Sequence, residues 1–329
     1  MSKKFNPKNY YKKVISNFEK KYQLILKNKE PKSLYEPCDF IVESTGKRLR
    51  PFLVLISAQA VGAKLTKVQN AAMAVELFHN FTLVHDDIMD NADKRRGRPT
   101  LHIKYDINTA ILAGDNLLAI AYQRLLMDCK KNNIIPVEDF TQGLIEVCEG
   151  QSLDKEFETR KDVTLEEYIV MINKKTAALA ETCCSIGAKI GGGSVKEINA
   201  LRKYGKYLGF AFQIQDDLLD IMADEAELGK KIGGDLLEGK KTYLLLKALE
   251  KSEGEDNNLV KKVIENNGIR KNQINKYKEL YIKLDVIEEA SKEVKRYTNL
   301  ALNSLKNIQN SNAKETLIWL ASSLTNRKK

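Results

Sequence analysis

The sequence predicts an all-α fold, one large single-domain helical bundle spanning residues 1–329. Three observations predict it. Apolar residues recur at three- and four-residue spacing along almost the whole chain, alternating strand patterns are rare, and only six prolines interrupt 329 residues. Helix starts can be named where Thr66 and Gln69, Thr164 and Glu167, and Ser194 and Glu197 have capping-box spacing. Stops fall at Gly97-Arg98-Pro99, Gly191-Gly192-Gly193 and Gly233-Gly234. No linker rich in Pro, Gly or Ser and no low-complexity tract divides the chain, so one domain is expected, with more charged helices after Gly254.

An apolar content of 43% can supply a substantial core. No long uninterrupted apolar run exists, and Met-Ser-Lys-Lys-Phe-Asn-Pro at the start lacks the apolar stretch of a signal peptide; a soluble cytoplasmic protein without membrane insertion is expected. Cys38, Cys129, Cys148, Cys183 and Cys184 show no metal-ligand spacing and are expected to be buried, reduced thiols. The net charge of +10 admits nucleic acid, an anionic membrane or a phosphorylated substrate as partner. Arginine clusters interleaved with aromatics, which base stacking needs, are missing.

In chain order, Thr45-Gly46-Lys47-Arg48-Leu49-Arg50-Pro51 leads into an apolar helix over 52–60. Its three cations beside a helix start make either an anion pocket or a solvated basic turn. The next helix, 67–91, is apolar on nearly every face yet carries His79, Asp86, Asp87 and Asp90. Asp86 and Asp90 share a face one turn apart, and His79 lies about 10.5 Å further down the same helix. These acids stand at a helix C-terminus, where the dipole disfavours negative charge, so folding alone does not select them.

Lys94-Arg95-Arg96-Gly97-Arg98 then turns away, its cations either pairing with those aspartates or clamping an anion. Gly114-Asp115 predicts a close helix contact with a buried hydrogen bond, and Gly150-Gln151 with Asp154 puts polar groups late in another helix. Lys175-Thr176 sits mid-helix in 165–189 among small apolar residues, calling either for an anionic partner or for snorkelling to solvent. A second acidic helix, 195–222, carries Gln213, Asp216, Asp217 and Asp220 on one face. A glycine-punctuated basic loop with Lys230 and Lys240 follows it.

Carboxylates do not bind phosphates, so acids and cations gathered together either pair internally or hold a metal between acid and ligand. Oxygen-only donors point to Mg²⁺, and the set suits a diphosphate acting as leaving group, with apolar helices enclosing a carbocation and its tail.

On these residues the chain resembles the trans-isoprenyl diphosphate synthases of the polyprenyl synthetase family. Asp86-Asp87-Ile-Met-Asp90 is similar to the family's first aspartate-rich motif and Asp216-Asp217-Leu-Leu-Asp220 to its second. The likeness runs from Gly46 to Thr242 in motifs and beyond in helical pattern. It implies an all-α fold of the isoprenoid synthase type and a Mg²⁺-dependent, head-to-tail condensation of isopentenyl diphosphate with an allylic diphosphate. By that resemblance Lys47, Arg50, His79 and Arg96 hold the diphosphate of isopentenyl diphosphate. Arg95, Lys175, Thr176, Gln213, Lys230 and Lys240 surround the allylic diphosphate, and the six aspartates bind Mg²⁺, three ions when diphosphate is present.

A homodimer and no nucleic-acid partner are implied as well. The family often has two glycines before Lys-Arg-x-Arg-Pro, and here the first is Thr45. Phe81 and Thr82 occupy the positions that close the tail pocket, with Phe81 about 7.5 Å below Asp86. This pattern resembles short-chain synthases, geranylgeranyl diphosphate favoured and farnesyl diphosphate next. The rival readings are a class I terpene cyclase, whose second motif would carry Asn/Asp, Ser/Thr and Glu, and a non-catalytic regulatory paralogue.

Overall fold

The computed structural model describes residues 5–132, 136–222 and 233–325. Helices dominate, and the described strands are two short ones, β1 (Lys94–Arg95) and β2 (Arg98–Pro99), paired antiparallel as a hairpin. The all-α expectation holds. Among the described residues no helix is long and apolar enough to cross a membrane.

The chain forms two compact units. The first comprises Met1–Phe140, Cys183–Asn199 and Ile308–Leu317, the second Thr141–Thr182, Ala200–Asn307 and Ile318–Lys329.

The first unit is built around α4 (Gln69–Met89), whose residues from Ala71 to Phe78 are all buried. It packs against α3 (Leu49–Ala60) and α6 (Ile107–Asn132). Gly114 of α6 is the close contact: a Cβ there would stand 2.5 Å from His85 Nε2. Asp115 departs from expectation, since its side chain is 62% exposed and faces His85 across 3.6 Å. Among the cysteines, Cys148 is exposed and the other four are buried.

The Thr66–Gln69 capping box does not form. Residues Leu65–Val68 make a 3₁₀ turn, Gln69 accepts instead from Lys21 Nζ at 2.7 Å, and α4 starts without a local side-chain cap. The cap comes from α6: the buried Asp128 accepts from Ala71 N at 2.8 Å and from Asn70 Nδ2 at 2.9 Å. A tertiary cap of this kind leaves no local spacing in the sequence. Asp128→Ala is expected to cost about 1–3 kcal/mol, the penalty for stranding a buried amide, and a urea melt reads it.

In the second unit α7 (Val137–Thr159) ends, α8 (Leu165–Ile172) runs into a π-helical turn over Asn173–Ala177, and α9 (Ala178–Gly191) begins. The capping boxes at Thr164 and Ser194 both form. The helix expected over 165–189 is therefore continuous in direction but widened in the middle. The π turn sends three successive side chains to partners: Lys174 to Glu149, Lys175 to Asp154 and Thr176 to Gln213. Gly150 makes room for it, since a Cβ there would lie 2.2 Å from Lys175 N. The second acidic helix, α10 (Val195–Met222), buries its apolar faces in a core that includes Tyr168, Phe210, Tyr243 and Tyr297, with Phe210 stacked on Tyr297 at 4.7 Å.

Candidate active site

In the first unit the basic turn before α3 divides by depth. Arg48 is buried and paired with Glu76 at 2.6 Å, so it belongs to the interior. Lys47 is exposed and Arg50 half-buried. Arg50 Nη1 donates to His79 Nε2 at 3.1 Å, which puts the imidazole proton on Nδ1. Burial, then the charges of Arg50, Arg96, Arg95 and Arg48, hold His79 well below the usual histidine pKa, so it is neutral.

The hairpin turns on Arg96 and Gly97, both at positive φ (53° and 77°), which gives the two-residue turn its twist. Arg96 Nη1 donates to Thr45 O at 2.7 Å, and a Cβ on Gly46 would lie 2.6 Å from that nitrogen. Gly46 thus lets Arg96 reach this carbonyl without shifting, while Thr45 is exposed. Arg50, His79 and Arg96 come together, and Lys47 stands exposed on the same turn.

The aspartates of α4 are unequal. Asp87 is 3% exposed and accepts from Arg95 Nε at 2.7 Å, whereas Asp86 is half-buried and Asp90 exposed. Burial pushes the Asp87 carboxyl up against the opposing pull of Arg95. Of the hairpin cations, Arg95 pairs with Asp87 through Nε. Arg98 stacks over Phe40, its Cζ 4.0 Å from the ring centre.

Further down α4, Phe81 is half-buried against His85 (ring centres 4.6 Å apart) and 3.7 Å from where a Cβ on Gly114 would stand. Thr82 Oγ1 donates back to His79 O at 2.8 Å.

In the second unit a cavity of about 160 Å³ is lined by Lys175, Thr176, Gln213, Asp217, Asp235 and Lys240, among others. Asp217 is buried and accepts from Tyr168 OH at 2.6 Å, Tyr243 N at 2.9 Å and Gln213 Nε2 at 3.2 Å. Thr176 Oγ1 donates to Gln213 Oε1 at 2.9 Å, which extends the chain of bonds to the π turn. Burial pushes the Asp217 carboxyl up to about 6 despite those donors. Asp216 and Asp220 are half-buried, and Asp220 Oδ2 accepts from Asp235 N at 3.1 Å.

Lys175 is paired with Asp154 and Lys240 with Glu238 at 2.9 Å. Snorkelling therefore does not describe Lys175. Burial opposes the charge on Lys240, but Glu238 and Asp235 outweigh it and raise its pKa. Lys230 lies outside the described residues.

Sequence reasoning gave no role to Tyr168, Tyr243 or Asp235. Asp235 was visible as the acid after Gly233-Gly234; Tyr168 stands 49 residues from Asp217 and had no signal. Burial, then Asp220 and Asp217, pushes the Asp235 carboxyl up to about 8.

Both acids have folded pKa values above the unfolded value of about 4, so the stability they confer is complete below that pH. It is lost as pH rises through about 6 for Asp217 and about 8 for Asp235. Toward pH 9 the thiols of Cys38, Cys129 and Cys183, also pushed up by burial, add to the loss in the same direction, so the Asp235 share is read from the substitution. The metal-free protein is expected to lose thermal stability between pH 7 and 9, and Asp235→Asn to flatten the slope in melts recorded in EDTA.

Among the described residues no three His, Cys, Asp or Glu side chains form a metal site by themselves. Asp86, Asp90, Asp216 and Asp220, none of them fully buried, are oxygen donors of the kind Mg²⁺ takes, with water and phosphate completing its shell.

The family model for polyprenyl synthetases matches residues 31–282. The chain belongs to the polyprenyl synthetase family. It is 39% identical over 304 residues to a geranylgeranyl diphosphate synthase of Sulfolobus acidocaldarius, covering 91% of this chain and 92% of that protein. It is 38% identical over 295 residues to a short chain isoprenyl diphosphate synthase of Methanothermobacter thermautotrophicus, covering 88% and 89%. The crystal structure of geranylgeranyl pyrophosphate synthetase from Pyrococcus horikoshii superposes with a TM-score of 0.88 at 35% identity, covering 97% of this chain and 98% of that one. The chain is accordingly a prenyltransferase of all-α isoprenoid synthase fold.

Proposed function

We propose that this prenyltransferase joins isopentenyl diphosphate head-to-tail to an allylic diphosphate and releases an all-trans C20 product. The observation that carries the reading is a division of charge. Arg50, neutral His79 and Arg96, with Lys47 exposed on the same turn, form a group in which the Arg50 and Arg96 bonds described go to neutral acceptors, His79 and Thr45 O. The cavity beside Asp217 instead mixes lysines with carboxylates. A diphosphate that stays attached needs cations alone, whereas one that must leave with an electron pair needs metal-binding acids as well.

In this reading Lys47, Arg50 and Arg96 grip the diphosphate of isopentenyl diphosphate, and His79 fixes the Arg50 guanidinium without adding charge. Arg95, Lys175, Lys230 and Lys240 surround the allylic diphosphate, with Thr176 and Gln213 ordering that pocket through Asp217. The two aspartate triplets would supply Mg²⁺ ligands, for three ions with the diphosphate bound. Bound Mg²⁺ would neutralise the departing pyrophosphate. As the C–O bond breaks, the electron pair leaves with pyrophosphate; C4 of isopentenyl diphosphate attacks C1 of the allylic cation; loss of a proton, taken by the pyrophosphate, restores the double bond.

The relatives that make geranylgeranyl diphosphate support C20, as does Phe81 packed below the first motif. We further infer a single-domain chain acting in the cytoplasm as a homodimer. The exposed apolar residues Ile107, Ile111 and Leu112 on α6 support the dimer, and light scattering tests it by returning twice the mass of the chain. Incubation with labelled isopentenyl diphosphate and each allylic primer, with Mg²⁺ or EDTA, tests the reaction. A C20 product that EDTA abolishes is expected; no condensation with any primer sinks the proposal.

A further inference from the structure

A buried charge network lies directly beneath the cationic group of the first unit. Arg48 has no solvent-exposed side-chain surface and sits at φ 48°, a conformation uncommon for a residue with a Cβ. Its guanidinium donates to Glu76 Oε1 at 2.6 Å, Glu19 Oε1 at 3.4 Å, Val42 O at 3.3 Å and Ser44 O, and lies 5.2 Å from the Tyr22 ring centre. Tyr22 OH in turn accepts from Asn80 Nδ2 at 2.7 Å. Glu76 and Asn80 flank His79 on α4, so one network ties α1 (Pro7–Tyr22), the turn before α3 and the histidine-bearing stretch of α4.

The turn itself is held by its oxygens. Arg48 takes the carbonyls of Val42 and Ser44, Arg96 takes that of Thr45, and Tyr11 OH takes that of Lys47. Tyr11 is fixed by an edge contact with Phe52, ring centres 4.6 Å apart. Engaged in this way, these electron-rich oxygens are kept off an incoming phosphate, and Lys47 and Arg50 leave the turn from a backbone that does not have to reorganise. Stability does not explain the arrangement, since a buried ion pair is usually no better than packed apolar side chains of the same volume. Position does.

We propose that Arg48, with Glu76 beneath it and Tyr11 beside it, is a positioning residue that sets the affinity for the homoallylic diphosphate. This rests on the reading that isopentenyl diphosphate binds at Lys47, Arg50 and Arg96. Arg48 does not touch the substrate; it fixes the turn that does.

Calorimetric titration of the whole protein with isopentenyl diphosphate, and separately with geranyl diphosphate and Mg²⁺, tests it in three variants. Arg48→Lys keeps the charge but lacks the fork that reaches two carbonyls. The double variant Arg48→Leu/Glu76→Leu removes the pair without stranding a charge. Tyr11→Phe takes only the hydroxyl from Lys47's carbonyl and leaves the buried pair intact.

The first two are expected to weaken isopentenyl diphosphate about tenfold and Tyr11→Phe about threefold, with geranyl diphosphate within twofold of wild type. KM should follow the same split. A folded variant that binds isopentenyl diphosphate as wild type does, or weakens both diphosphates alike, overturns the positioning role alone. Wild-type protein that binds no isopentenyl diphosphate overturns the proposed function and this inference together.

Discussion

Asp86→Ala is expected to lower kcat about 10³-fold, roughly 4 kcal/mol of transition-state stabilisation, while the thermal melt stays near that of wild type. The two halves of that expectation have separate causes. Asp86 is half-buried at the C-terminal end of α4, where its charge opposes the helix dipole, so losing the carboxylate relieves an unfavourable contribution to the fold. In the proposed reaction the same carboxylate helps anchor the ions that take up charge as pyrophosphate leaves. Product formation from labelled isopentenyl diphosphate, with the melt alongside, reads both. Undiminished Mg²⁺-dependent turnover in a folded Asp86→Ala protein would remove the first triplet from the mechanism.

Asp217 behaves differently under the same substitution. Its carboxylate accepts from Tyr168, Gln213 and the Tyr243 amide, so Asp217→Ala strands a buried hydroxyl and a buried amide and costs stability as well as activity. Asp217→Asn keeps the shape and removes the charge, which makes it the cleaner variant.

This inequality among the six aspartates is where the sequence ran out. Helical periodicity located α3, α4 and α10 to within a few residues because an apolar face repeats every turn, and such a repeat is a local property. The cations and acids of the site were legible too, since charged groups in apolar stretches stand out against what folding alone requires. Partnerships across the chain were not. Nothing around Asp217 in sequence says that it faces Tyr168, nor which aspartate Arg95 pairs with, nor that Arg48 turns inward while Lys47 and Arg50, one and two residues away, do not. The π turn at Asn173–Ala177 was hidden for a related reason: residues that widen a helix are ordinary helix formers, and Gly150, which leaves room for the turn, lies in another helix.

Phe81→Ala is expected to shift the product from C20 to C25 and longer. The Phe81 ring lies on the side of α4 that meets α6, against His85 and beside Gly114, where the two helices approach closely. Truncation removes the ring about 7.5 Å below the first motif, where a growing tail pointing down the helix would arrive. Thr82, with its hydroxyl turned back to the His79 carbonyl, offers no bulk to replace the ring. The cost to folding is smaller than the 3–5 kcal/mol of a fully buried Phe→Ala change, because Phe81 is only half-buried. Chain-length analysis of the variant's products decides the point: an unchanged C20 spectrum would mean that the tail stops against some other wall. Gly114→Ala pushes the other way, crowding His85 and Phe81 together, and a shift toward C15 in that variant would locate the stop at the contact between the two helices.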